Sequence, residues 1–133
     1  MKANVKYIRI GLITALVIMA IVCYFLLRVT ESQVVVNKMV MFYEVLPNSE
    51  RIIKDKEAIK QFTYAARFAE KQTGKVDMPP PEYQFTLGKQ LYYLWLGDQS
   101  SNSTLMKLPD SGTIYNIEES RTSYLVDILK NLY

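Results

Sequence analysis

Residues 10–27, IGLITALVIMAIVCYFLL, decide where this chain can reside. Between Ile10 and Leu27 there is no charge, no proline and nothing strongly polar beyond Thr14. At 1.5 Å per helical residue these 18 residues cover about 27 Å, close to the roughly 30 Å of hydrocarbon in a bilayer. A helix that is apolar all round has no face to offer water, so the stretch reads as one transmembrane helix rather than a core helix. Lys2, Lys6 and Arg9 precede it and Arg28 closes it. Both arginines can snorkel to the headgroups, and Tyr7 stands where an interfacial aromatic is favourable.

The distribution of cations predicts the orientation. Three basic residues and the amino terminus lie before the helix, against Arg28 and Lys38 after it. That bias puts residues 1–9 in the cytoplasm, 10–28 in the membrane and 34–133 outside the cell, with 29–33 as a tether. A cleaved signal peptide has a shorter apolar run, roughly 7–15 residues, and small residues at its cleavage site. Here the run ends Tyr24-Phe25-Leu26-Leu27-Arg28, which fits an uncleaved signal anchor. Val22, directly before Cys23, opposes a lipoprotein anchor. Cys23 is the only cysteine, so no intramolecular disulfide can form, and in lipid it serves as a small hydrophobe. Gly11 and Ala15 make a small-residue pair that would let two such helices approach.

Charge and composition exclude several functions. The chain's net +3 resides entirely in residues 1–31, and the rest carries equal numbers of acids and bases. A surface for nucleic acid needs a surplus of Lys and Arg, so no nucleic-acid partner is expected. Histidine is absent, which removes imidazole-based catalysis and imidazole metal sites. With the one cysteine in the membrane segment, thiolate metal sites are excluded as well.

The outer residues are numerous enough for one domain with its own core. Residues 33–45, QVVVNKMVMFYEV, are β-branched and aromatic and predict one continuous strand. Val34, Val36, Val40 and Phe42 would share one face, and Val35, Met39, Met41 and Tyr43 the other. Residues 46–49 turn the chain, and 51–53 can add a short strand. Asp55 is suited to cap a helix with the stripe Ile59, Phe62, Ala66 and Ala69, ended by Gly74. Three consecutive prolines, 79–81, stiffen the return to the sheet. Tyr83, Phe85 and Leu87 alternate with polar residues as a half-buried strand. Residues 91–97, LYYLWLG, are apolar on both faces and predict a central strand.

Asp98, Ser100 and Asn102 open like a calcium loop, but Ser103 stands where glycine is needed and Pro109 where glutamate is needed. Residues 104–108 and 113–117 flank Pro109-Asp110-Ser111-Gly112 as a hairpin. Glu118, Glu119 and Ser120 open a last helix, with Leu125, Ile128, Leu129 and Leu132 as its stripe. The expected fold after the transmembrane helix is α+β, a mainly antiparallel sheet with two helices on one face, in the order β-α-β-β-β-β-α.

Several of these stretches look familiar together. Val76-Asp77-Met78 with Pro81-Glu82-Tyr83, the block Tyr92-Tyr93-Leu94-Trp95-Leu96, and Asp110 with Thr113-Ile114-Tyr115 resemble the small YhfM-like envelope proteins of Firmicutes. The resemblance covers roughly residues 50–132. It implies a membrane-tethered extracytoplasmic domain of a Gram-positive bacterium, in a family without an assigned activity, and it supplies no catalytic residues.

The expected function is therefore a non-catalytic binding or regulatory module at the cell envelope, with no catalytic, cofactor or metal residues. It is held by the bilayer through residues 10–27, and its expected partner is an envelope protein or a second copy of the chain. A sheet face left free by the helices would display Tyr92, Tyr93, Trp95 and Tyr115 as candidate partner-binding residues. Against this stands their use as core. A second reading is an envelope-acting hydrolase using the loop carboxylates Asp98 and Asp110, if these approach each other. Against that stands the commonness of aspartate in turns. A third is a structural subunit that assembles through its membrane helix.

Overall fold

The computed structural model of the protein describes residues 2–73 and 77–133, with side chains from residue 4 onward. The chain forms two compact units, Met1–Thr30 and Glu31–Tyr133. The first is a single helix, α1 (Lys2–Leu27), of which Asn4–Leu27 is long and apolar enough to cross a membrane. The hydroxyl of Thr14 donates to the carbonyl of Ile10, 2.8 Å away and one turn back. The one polar side chain inside the apolar run is thus satisfied by its own helix.

The second unit is an α+β domain. Its elements are β1 (Val34–Met41), β2 (Glu44–Val45), β3 (Arg51–Ile53), α2 (Lys56–Arg67), β4 (Glu70–Lys71), β5 (Tyr83–Leu87), β6 (Gln90–Trp95), β7 (Ser103–Lys107), β8 (Ile114–Ile117) and α3 (Glu119–Leu132). They build one antiparallel sheet in the order β2-β1-β5-β6-β7-β8-β4, with β3 paired to the first half of β1. The meander β5 to β8 follows from short connections, which favour antiparallel neighbours.

Strand periodicity sorts the side chains onto two faces. On one face lie Val34, Val36, Phe85, Leu94, Leu105 and Ile117, all buried. Helices α2 and α3 cover this face with Phe62, Leu125 and Leu129, and Phe62 meets Phe85 edge-on at 5.1 Å. Asp55 caps α2 by accepting from the amide of Ala58 at 3.0 Å. Thr122 of α3 donates to the hydroxyl of Ser103 on β7, which also accepts from the amide of Gly97. A buried polar pair therefore ties α3 to the β6–β7 loop. Gly97 is required there, because a Cβ would fall 2.2 Å from the backbone oxygen of Asn102.

The opposite face is not bare. Tyr93, Trp95 and Met106 form a second, smaller core with Met39, Met78, Leu108 and Ile114 packed against it. The indole N–H of Trp95 donates to the carbonyl of Pro79 at 2.7 Å, which holds the proline loop over this cluster.

Two local expectations are corrected. The continuous strand over 33–45 is instead a hairpin: β1 ends at Met41, the chain reverses through Phe42 and Tyr43, and β2 pairs back onto β1. The reversal uses Tyr43 at φ +63°, a left-handed conformation that a tyrosine seldom adopts and that no glycine or asparagine announces. Helix α2 ends at Arg67, and Glu70–Lys71 pair with Asn116 and Tyr115 as an edge strand instead of adding a helical turn. The stop expected at Gly74 lies outside the described residues. At the start of α3, Glu118 occupies the cap position without a side-chain hydrogen bond to the helix.

Candidate functional site

The tip joining β1 to β2 is where the domain departs most from a buried-apolar pattern. Val40, Met41, Phe42 and Tyr43 are consecutive, and with Leu46 all are exposed, by 36–56% for four of them and 81% for Tyr43. Isolated exposed hydrophobes are ordinary on a surface, but a contiguous run on a domain this small is not.

The tip is held firmly. The amide of Tyr43 donates to the hydroxyl of Tyr93 at 3.1 Å. The Phe42 ring lies 6.0 Å from Tyr93 and 6.3 Å from Trp95, and the Tyr43 ring 6.3 Å from Tyr93. Four aromatic rings in edge-on and tilted contacts thus form a cluster that starts in the second core and ends in solvent. At the base of the hairpin Ser49 is buried, and its hydroxyl accepts from Lys38 N–H and donates to the carbonyl of Leu46. No lysine or arginine lies between Lys38 and Arg51. These two flanking cations are drawn away onto the Tyr133 ring, 4.5 and 4.9 Å from its centre.

The four aromatics expected to form a displayed patch are divided between the two faces. Tyr93 and Trp95 lie on the face away from the helices, as their alternation requires, but they are buried under Phe42 and the proline loop. Tyr92 and Tyr115 lie on the helix-covered face and are half-buried, with Tyr92 stacked on Phe85 at 4.9 Å. Burial and the neighbouring Tyr115 push the Tyr92 phenol above its usual pKa of 10.0. Tyr93 and Trp95 carry the tip from beneath and offer little surface themselves. The exposed run was visible as a stretch in which Glu44 is the only charged residue between Met39 and Leu46. Read as a strand, its apolar residues had a ready destination in the core, so the signal was absorbed.

Asp98 and Asp110 do not approach each other. They sit in the loops at opposite ends of the five-residue β7. The Asp110 carboxylate accepts from Gly112 N–H inside its own turn, and Asp98 lies in a turn closed by Ser101. Burial lifts the Glu82 carboxyl above 4.5, while the Leu96 backbone amide pulls it down less strongly. Among the described residues no three acid or sulfur ligands gather as a metal site.

The fold has a counterpart among solved structures. A thioesterase-like protein from Clostridium sporogenes ATCC 15579 is similar with a TM-score of 0.55 and 16% identity, covering 76% of this chain and 95% of that one. At that identity the likeness concerns the fold. A search of curated proteins gave no match. The model of the YhfM family, described as YhfM protein, matches residues 33–133, which hold every strand and helix of the α+β domain. The chain belongs to the YhfM family.

Proposed function

We propose that this protein is a membrane-anchored, extracytoplasmic binding or regulatory module of the cell envelope that works without chemistry of its own. Helix α1 is the anchor, with the amino terminus in the cytoplasm and the domain outside. The contact surface is the β1–β2 tip. The observation that carries this reading is the run from Val40 to Tyr43, exposed yet braced by Tyr93 and Trp95. A rigid aromatic projection loses little conformational freedom on contact, which favours binding. The separation of Asp98 and Asp110 across β7 weighs against a hydrolase built on that pair.

The test is site-specific photocrosslinking in intact cells, with the reactive group at position 43 or at exposed Lys130 on α3. A discrete adduct at position 43 and none at 130 is expected. Equal labelling at both positions, or none at 43, overturns the tip as the contact surface. Protease added to whole cells checks the topology: the domain is expected to be degraded, and its survival until lysis would reverse the orientation.

A further inference from the structure

The tip's geometry says what it touches. Val40 and Met41 end β1 and Phe42 and Tyr43 make the turn, so four exposed apolar side chains stand together at the end of a hairpin, with the Phe42 and Tyr43 rings both beside Tyr93. A protein partner would need a cleft shaped to such a projection. A fluid interface surrounds it without any matching shape. Tyr43, the most exposed of them, combines an apolar ring with a hydroxyl, the combination favoured at the level of lipid headgroups. The chain also brings that interface close. If α1 spans the membrane, the six residues from Arg28 to Gln33 reach at most about 20 Å. The bilayer is then present at high effective concentration beside the domain.

We propose that the β1–β2 tip inserts into the headgroup region of the bilayer that holds α1, so that the domain rests on the membrane surface at a second point. This rests on reading α1 as a membrane anchor. The tether enters β1 at Val34 and the tip leaves it at Met41, about 23 Å away by strand rise, so tether and tip stand at opposite ends of β1. Insertion is apolar in character. No cation lies between Lys38 and Arg51, and both flanking cations are engaged by Tyr133. Binding of the tip therefore needs no anionic lipid and resists salt.

Trp95 is the chain's only tryptophan and lies 6.3 Å from the Phe42 ring, so it reports on the tip. The experiment reconstitutes the full chain in phosphatidylcholine vesicles whose acyl chains carry bromine near the headgroup. Trp95 emission is expected to be quenched relative to unbrominated vesicles, unchanged by raised salt, and largely restored in Tyr43→Gly and Met41→Ser. Tyr43→Gly suits the positive φ at that position and keeps the fold, which circular dichroism verifies. Unquenched Trp95 in vesicles that retain the chain after alkaline carbonate overturns tip insertion alone, as does a position-43 crosslink to protein without one to lipid. Release of the chain by carbonate overturns the anchor and this proposal with it.

Discussion

Tyr43 carries more information than any other residue of the domain. It holds a left-handed backbone conformation that costs a side chain of its kind of order 1 kcal/mol or more, and its ring is mostly in water. Burial repays little of that cost, and the ring's neighbours within the domain are Phe42 and Tyr93. Replacing it separates conformation from contact. Tyr43→Gly is expected to hold stability within about 1 kcal/mol, because glycine adopts this φ freely. Tyr43→Val is expected to lose more, because a β-branched residue is disfavoured there. Thermal unfolding of the two variants side by side checks this, and equal melting temperatures would remove the strain argument.

At the level of elements, the face of the sheet away from the helices is organised by one indole. Trp95 packs with Tyr93 and Met106 and donates to Pro79, so a side-chain hydrogen bond from β6 holds the proline loop. Glu82, at the end of that loop, connects two strands: its amide donates to Leu94 and its carbonyl accepts from Met39. Trp95→Phe is expected to cost about 1–3 kcal/mol, from the lost hydrogen bond and lost ring area. Amide exchange at Glu82 is expected to quicken more than at Phe62 in α2, which lies on the other face. Uniform acceleration across the domain would show that the loop is held by other means. The helices were legible at this scale because their signals are local. Asp55 and the Ile59–Phe62 spacing mark α2, and Leu125–Leu129 mark α3. The end of α2 was not, because Glu70 and Lys71 are recruited by Asn116 and Tyr115, more than forty residues on.

Across the whole domain, three tyrosines report on folding through their protons. Burial raises the phenol pKa of Tyr83, Tyr92 and Tyr133 above 10.0, with the charge of Glu82 adding to the first, and nearby Arg51 opposing the rise at Tyr133 while Tyr83 adds to it. A raised folded pKa favours the neutral phenol in the native state. Its stabilisation is full below the unfolded value near 10 and is lost as pH climbs through the raised folded values. The domain is expected to lose stability above about pH 10, with a smaller loss in Tyr92→Phe. Denaturant unfolding at pH 8, 10 and 11 measures it, and a flat profile over that range would contradict the burial of these phenols.

The amino-acid sequence alone determined what depends on near neighbours: an apolar helix of membrane length, a capped amphipathic helix, alternating strands and hence an α+β domain. Tertiary structure decided what depends on distant pairing. It reversed the chain at Tyr43, put Tyr115 on the face of Tyr92, roofed Tyr93 and Trp95, and set Asp98 and Asp110 at opposite ends of β7. Periodicity records which residues avoid water. Only the register of strands far apart in the chain decides which of them succeed, and at the β1–β2 tip five apolar side chains stay outside.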